Sequence, residues 1–187
     1  MKKQRSAAGW RAEARVLSSA VEFEGPVFGV RTDRVVEPGG IEVTRSIVTH
    51  PGSVVVLPIF PNGEVLLIRQ YRHAVGEYLW ELVAGRIEPG ETPLVAARRE
   101  LLEETGYTAR RFRKLFRAYP TPGFVSESML LYAAEGLRAG AARPESDERI
   151  TARRFPPRTV LEWVHRGRLR DGKSIAGILY YLRFCRR

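Results

Sequence analysis

The stretch that decides the fold is residues 85–107, GRIEPGETPLVAARRELLEETGY. Pro93 is well tolerated as the first residue of a helix, and the Thr92 side chain just before it can cap that helix. Gly106 suits a helix end, because glycine adopts the left-handed conformation found there without strain. The stretch therefore predicts a helix from about Pro93 to Thr105.

The predicted helix has two different faces. Its apolar face, which should pack on the rest of the protein, is formed by Leu94, Ala97 and Leu101. Its acidic face carries three carboxylates that should converge on one patch at spacings i, i+3 and i+4, namely Glu100, Glu103 and Glu104. Because like charges at these spacings destabilise a helix by roughly 0.2–0.5 kcal/mol per pair, a cation should compensate them.

The chemistry of these ligands indicates which cation that is. Carboxylate oxygens favour a hard cation, which points to Mg²⁺ and, as an alternative, Mn²⁺. Mg²⁺ in proteins commonly binds one or two carboxylates together with water and the phosphates of a substrate. The sequence thus predicts a divalent-metal site that acts on a phosphorylated substrate.

Alternating apolar residues and turn residues predict strands on both sides of this helix. We expect strands within residues 15–36 (broken at Gly25 and Pro26) and at 41–50, 53–60, 64–73, 109–120, 126–137 and 150–155. The turn Pro61-Asn62-Gly63 gives the strongest hairpin signal in the chain. Two further helices should follow, from Val160 to about Arg166 and from Ser174. The second carries an apolar stripe of Ile175, Ile178, Leu179 and Leu182. The pattern predicts an α+β fold with helices packed on a sheet.

Composition is that of a globular protein. The 187 residues are 44% hydrophobic and 28% charged, and most simply form one domain. No apolar run reaches the ~20 residues of a membrane span, and the basic start lacks the apolar core of a secretory signal. A single cysteine, Cys185, cannot form an internal disulfide, so we expect a cytoplasmic protein. The net charge of +10 would attract anionic substrates, or nucleic acid non-specifically.

The opening stretch also resembles a known family. It matches the Nudix box, G-x5-E-x7-R-E-U-x-E-E-x-G-U with U apolar. The matching positions are Gly85, Glu91, Arg99, Glu100, Leu101, Glu103, Glu104, Gly106 and Tyr107. An acidic solvated helix face would explain the glutamates but not Gly85, Glu91 and Gly106 at their spacings. The resemblance implies an α/β/α sandwich, with an N-terminal strand extension in residues 1–45 and the hydrolase domain in 46–187.

Beyond the box, the chain is similar to the ADP-ribose pyrophosphatase branch of that family. The similarity lies in RQYRHAVGEYLWELVAG ahead of the box, YPTPGFVSE at residues 119–127, and ESDERI at 145–150. It implies hydrolysis of a nucleoside diphosphate sugar, with ADP-ribose giving AMP and ribose 5-phosphate. It also implies a homodimer held by the N-terminal strands.

The resemblance further implies roles for single residues. Glu100, Glu103, Glu104 and the Ala84 carbonyl would hold the metal, while Arg99 orients the glutamates and Glu91 supports the box. Arg69 and Arg72 would bind phosphate, and Glu81 either a ribose hydroxyl or an arginine. Substrate contacts are also expected from Phe124 and Glu127. The catalytic base is expected in the acidic loop of Glu145, Asp147 and Glu148, with Glu148 matching best.

Two other functions compete with this interpretation. The box specifies diphosphate chemistry but neither base nor sugar, so another sugar nucleotide such as GDP-mannose is the nearest alternative. The basic C-terminal third, with two helices joined by RGRLRDGKS, allows a nucleic-acid-binding regulator on the same scaffold. The complete set of box glutamates argues for the enzyme, and we expect no specific nucleic-acid partner and no membrane association.

Overall fold

The computed structural model describes residues 13–141 and 149–185. Its strands are β1 (Arg15–Glu24), β2 (Gly29–Val36), β3 (Glu42–Thr49), β4 (Ser53–Ile59), β5 (Val65–Arg72), β6 (Glu77–Glu81), β7 (Val83–Arg86), β8 (Tyr107–Ala118), β9 (Met129–Ala139) and β10 (Thr151–Phe155). Its helices are α1 (Pro93–Thr105), α2 (Pro157–His165) and α3 (Gly172–Phe184), with a short 3₁₀ turn at His73–Val75. The predicted strands and helices are present in the predicted order, but β6 and β7 were not predicted.

The described residues divide into two compact units. The first contains residues 13–50 and Thr121–Ser126, and the second contains the remaining described residues. The boundary predicted between residues 45 and 46 falls inside β3. That strand pairs along its length with β2, from Gly29↔Thr49 to Val36↔Glu42, and so stays with the N-terminal strands.

The first unit is an antiparallel sheet in the order β1, β2, β3. Its short loop segment is tied to β3, because the Val48 N–H donates to the Phe124 carbonyl at 2.8 Å and the Ser126 N–H donates to the Val48 carbonyl at 2.9 Å. Every residue of β1 is exposed. The sheet therefore presents an edge strand that nothing in the described part of the chain covers.

The second unit is built on a mixed sheet in the order β10, β5, β4, β9, β8, with β6 beside β5 and β7 beside β4. At its centre β4 is fully buried and runs parallel to β9. The hairpin expected between β4 and β5 is limited to one pair, Ile59↔Val65. Beyond that pair the two strands separate, because β4 continues beside β7 while β5 continues beside β6 and β10.

Helices cover both faces of this sheet. Val55 and Leu57 of β4 belong to a core that contains Val160, Leu169 and Ile178 from the α2–α3 region. Val54 and Val56, which point the other way, belong to a core that contains Ala97 and Leu101 of α1. The α/β/α layering predicted from the sequence is confirmed.

The bounds and caps of α1 are as predicted, and so are two of the three residues predicted for its buried face. The Thr92 hydroxyl accepts from the Val95 N–H, and Gly106 ends the helix at φ 72°. Leu94, expected in the apolar stripe, is 36% exposed, whereas Ala96 is buried with Ala97 and Leu101. Leu94 lies in the first turn, and burial against the sheet begins only at Ala96.

The stripe predicted for α3 also needs correction. Leu179 is 40% exposed, and the buried face is centred on Ser174, Gly177 and Ile178. A side chain at position 177 would place its Cβ 2.9 Å from Leu131, so glycine allows a close approach of this helix to the sheet. The buried face of α3 therefore depends on a glycine. A search for apolar residues at helical spacing does not identify that position.

Candidate functional site

One guanidinium organises the acidic face of α1. Arg99 donates from Nε and NH2 to the two carboxylate oxygens of Glu91, both at 3.0 Å, and from NH2 to the Arg86 carbonyl at 3.0 Å. Its NH1 donates to Glu100 at 2.7 Å and to Glu103 at 3.0 Å. All five N–H donors are thus engaged. We call Arg99, Glu91, Glu100 and Glu103 the Arg99 cluster.

The Arg99 cluster contains more negative than positive charge. Hydrogen bonds to Glu91 raise the pKa of Arg99 above its ordinary value, against the opposing effect of burial, and the charge of Glu100 adds to the increase. The same hydrogen bonds lower the pKa of the Glu91 carboxyl. One permanently charged cation therefore faces three carboxylates, an arrangement that favours a further cation.

The three glutamates predicted to converge have different surroundings. Glu100 and Glu103 turn to Arg99, whereas Glu104 is 4% exposed on the buried side of α1. Within residues 13–141 and 149–185, no group of three or more His, Cys, Asp or Glu side chains is assembled that could hold a metal ion. Arg99 holds Glu100 and Glu103 through its NH1 donors.

The nature of the donors nonetheless fits Mg²⁺ or Mn²⁺. Glu100, Glu103, Glu104 and the Ala84 carbonyl would offer oxygen atoms only, as a hard cation requires. Gly85 provides a structural observation in support. A Cβ built there would lie 1.8 Å from Glu100 Oε1, so the carboxylate rests directly against the β7 backbone, next to Ala84. A side chain at position 85 would therefore displace the carboxylate of a predicted ligand.

A second ionic network lies beside β6. Glu81, only 1% exposed, accepts from Arg72 Nε at 2.8 Å and from Arg72 NH2 at 2.9 Å, and it also accepts from Lys173. Lys173 donates at 3.0 Å to Asp171, which caps α3 by accepting from the Ser174 N–H. We call Arg72, Glu81, Asp171 and Lys173 the Glu81 cluster.

Electrostatics in the Glu81 cluster are nearly balanced. Burial raises the pKa of Glu81, but hydrogen bonds from Arg72 and the charge of Lys173 outweigh it, so the net shift is downward. Hydrogen bonds with Glu81 raise the pKa of Arg72, and the charge of Glu104 adds to that increase. Glu81 was expected to bind either a ribose hydroxyl or an arginine, and in the structure it binds an arginine, Arg72. The two side chains that were predicted to contact substrate therefore contact each other.

The other residues predicted to contact substrate have different surroundings. Arg69 is exposed with its guanidinium 4.7 Å from the centre of the Tyr78 ring. It lines a cavity of about 270 Å³ together with Arg149 and Thr151. Glu127 accepts from the Ser53 hydroxyl at 2.6 Å, and Phe124, in the first unit, is 57% exposed. The contacts described for Arg69 and Glu127 thus involve partners outside the Arg99 cluster.

The predicted base lies outside the described residues. Glu145, Asp147 and Glu148 belong to residues 142–148, so the choice of Glu148 stays a prediction. Lys173 and Ser174, in contrast, are well described and were not predicted as part of any site. Asp171, three residues before Ser174, gives a helix-capping spacing that predicts the start of α3, but it does not predict the contacts of Lys173 with Glu81 or of Ser174 with Leu82.

Comparisons with known proteins agree with the box. The model of the NUDIX domain matches residues 49–176. The chain is 38% identical over 167 residues to the ADP-ribose pyrophosphatase of Mycobacterium tuberculosis, covering 87% of this chain and 80% of that protein. It is 33% identical over 170 residues to the methanol dehydrogenase activator of Bacillus methanolicus, covering 90% and 92% of the two chains.

A solved structure gives the same fold. The crystal structure of an ADP compounds hydrolase superposes with a TM-score of 0.79 over 91% of this chain and 93% of that chain, at 21% sequence identity. This likeness concerns the fold alone. Separately, no helix in the described part of the chain combines the length and the apolar character that crossing a membrane would need.

Proposed function

The chain belongs to the Nudix family, and on that premise we propose that it hydrolyses the pyrophosphate bond of a nucleoside diphosphate sugar. ADP-ribose, split by water into AMP and ribose 5-phosphate, is the leading substrate. The observation that carries the proposal is the excess of carboxylates in the Arg99 cluster, one of which, that of Glu100, rests against Gly85 of β7. The pyrophosphatase named among its relatives supports the choice of substrate.

The chemistry requires neutralisation of charge, because water must attack a phosphorus surrounded by negative oxygens. A Mg²⁺ or Mn²⁺ ion held by Glu100, Glu103, Glu104 and the Ala84 carbonyl would neutralise the diphosphate and make a bound water more acidic. Arg99 keeps Glu100 and Glu103 in position and is itself held by Glu91. Glu148, from the acidic loop, is proposed to accept the proton of the attacking water.

Product analysis tests this function directly. Purified protein is incubated with ADP-ribose and Mg²⁺, and the products are separated by ion-exchange chromatography. We expect equal amounts of AMP and ribose 5-phosphate, and no reaction in EDTA. Turnover that persists undiminished in EDTA, or no cleavage of any sugar nucleotide with either metal, would contradict the proposal.

The identity of the sugar and the base needs a separate test. The box itself specifies neither, so GDP-mannose and other sugar nucleotides belong in the same panel, compared by kcat/KM. A regulator that binds nucleic acid is the alternative from another class. It requires sequence-specific duplex binding with a steep dependence on salt concentration, measured by fluorescence anisotropy.

The proposal includes a cytoplasmic homodimer joined through β1. Three apolar side chains of this edge strand are strongly exposed, Val16 at 56%, Val21 at 65% and Phe23 at 49%. Apolar side chains along an unpaired edge are a common feature of surfaces that pair with another chain. Light scattering should give twice the mass of the chain, and Val21→Lys should shift it toward the monomer. A monomeric mass with full activity contradicts this part.

A further inference from the structure

The peptide between β6 and β7 poses a hydrogen-bonding problem. β6 pairs with β5, whereas β7 pairs with β4, so at Leu82 the chain crosses from one neighbouring strand to the other. We call Glu81 and Leu82 the crossover. Leu82 is fully buried, so its N–H needs a partner within the protein. That partner is the Ser174 hydroxyl oxygen on α3, at 2.7 Å, and Ser174 is itself fully buried.

The Ser174 hydroxyl is held in one orientation. Asp171 accepts from the Ser174 N–H at 3.0 Å and also from the Ser174 hydroxyl. Because the hydroxyl proton is committed to Asp171, a lone pair of the oxygen faces the Leu82 N–H. The capping residue of α3 thereby fixes a hydrogen bond to the sheet.

Two more contacts bind the same helix to the same peptide. Lys173 donates to Glu81, the residue immediately before Leu82. Gly177, one turn further along α3, lies so close that a Cβ there would be 3.0 Å from Leu82. Consecutive residues of the crossover are thus bound by consecutive residues of the helix, and little freedom is left for this stretch of backbone.

This peptide leads directly into the backbone that meets the acidic face of α1. Ala84 is two residues beyond Leu82, and Gly85 is in contact with the Glu100 carboxylate. We propose that Ser174, oriented by Asp171, is a positioning residue of the metal site: it fixes the crossover so that the Ala84 carbonyl and the Gly85 backbone meet Glu100. The inference rests on the proposed function, since Ala84 is a ligand only in that scheme.

A helix cap with no link to the site would behave differently from a positioning residue. Loss of a cap or of a buried contact lowers the free energy of unfolding wherever it occurs. Loss of an outer contact that orients a metal ligand also lowers metal affinity, typically 10- to 100-fold. The two roles are separated by a variant that costs similar stability in the same helix but keeps the Ser174 hydroxyl that accepts from the Leu82 N–H.

The experiment compares Ser174→Ala with Ser174→Thr and with the control Ile178→Val. Ile178 lies on the buried face of α3, with 1% of its surface exposed. Its substitution by valine removes one methyl group and should lower the free energy of unfolding by about 1 kcal/mol. In metal-free protein, the exchange rate of the Leu82 amide is measured by NMR together with the chemical shift of the Gly85 amide. The affinity for Mn²⁺ is then measured by electron paramagnetic resonance without substrate.

We expect Ser174→Ala to speed Leu82 exchange, move the Gly85 resonance and weaken Mn²⁺ binding about 10-fold. Ser174→Thr should restore all three, and Ile178→Val should leave Mn²⁺ affinity unchanged at a comparable loss of Tm. Wild-type Mn²⁺ affinity in Ser174→Ala, or an equal loss in Ile178→Val, overturns the inference. If Ser174→Ala does not fold, Ser174→Cys, which keeps the size but hydrogen-bonds weakly, is judged by the same criteria.

The outcome also separates this inference from the function on which it rests. Wild-type protein that binds no Mn²⁺ and cleaves no sugar nucleotide overturns both. Wild-type protein that does both, alongside a Ser174→Ala variant of equal Mn²⁺ affinity, overturns the positioning role alone.

Discussion

The Arg99 cluster and the Glu81 cluster are both built on arginine–glutamate ion pairs, yet their charges balance differently. In the Glu81 cluster two cations, Arg72 and Lys173, pair with two carboxylates, and the central one is buried. In the Arg99 cluster a single guanidinium serves three carboxylates, which are 10%, 12% and 32% exposed.

The difference separates a structural network from a site. A balanced network satisfies its own charges and gains nothing from a ligand, so its removal should act on stability. An unbalanced acidic network retains a negative field, so its carboxylates should act on cation binding and catalysis. Substitutions in and around the two clusters test that division, from the largest expected effect to the smallest.

The largest effect is expected from Glu104→Gln. The change removes one proposed ligand charge while keeping the shape of a side chain that is 4% exposed. We expect kcat for ADP-ribose to fall about 10³-fold or more, with the circular dichroism spectrum unchanged.

Its matched control is Glu88→Gln. Glu88 lies in the same box, but its side chain is half exposed, and its ion pair with Arg86 is a long one at the surface, with 3.7 Å between NH2 and Oε1. It should retain near-wild-type kcat. Near-normal turnover in Glu104→Gln would remove that residue from the proposed site.

Glu81→Gln should act on stability. Removing the charge leaves Arg72 and Lys173 without their central carboxylate, which typically costs 3–5 kcal/mol when the pair is buried. Because the Arg72 side chain is 39% exposed, we expect about 3 kcal/mol, measured by urea unfolding. An unchanged unfolding midpoint would show that the network contributes nothing.

The same variant should alter the pH dependence of stability. The pKa of Glu81 is lowered from its ordinary value of 4.5, so its contribution is complete above that value and is lost as the pH falls toward the folded pKa. The difference in unfolding free energy between wild type and Glu81→Gln should therefore be constant at neutral pH and shrink below about pH 4.5. A difference that grows on acidification would contradict the assigned shift.

Gly85→Ala should have a smaller effect, on activity alone. The new methyl group would meet the end of the Glu100 side chain at 1.8 Å and displace the carboxylate. We expect kcat/KM to fall about 10- to 100-fold, as for other misplaced catalytic groups, with little change in Tm. In the control Gly172→Ala the new Cβ meets nothing within 4 Å, and both quantities should stay near wild type.

The sequence predicted most of the fold because the strands and helices carry regular apolar patterns and clear turn residues. It predicted α1 to the residue, since Thr92, Pro93 and Gly106 are strong local signals. It did not predict that β4 and β5 separate after one pair, because the position of each strand also depends on β9 and β10, which pair with β4 and β5 from far along the chain.

For the site, local spacing was sufficient for some residues and not for others. The box spacings identified Arg99 and its glutamate partners, all close in sequence. They could not show that Glu100 and Glu103 accept hydrogen bonds from Arg99 while Glu104 is buried. The contacts of Lys173 with Glu81 and of Ser174 with Leu82 join residues 92 positions apart, and no local pattern specifies them.

The most direct test of the central claim is the Tm of substrate-free protein in EDTA and in excess Mg²⁺, compared between wild type and Glu104→Gln. A cation present at a free concentration of 100 times its Kd adds about 2.7 kcal/mol to the free energy of unfolding. For a chain of this size that raises the Tm by roughly 5–10 °C. We predict a shift of that order for wild type and none for the variant. Identical Tm values for wild type in EDTA and in Mg²⁺ would contradict the claim that the carboxylates around Arg99 form a cation site.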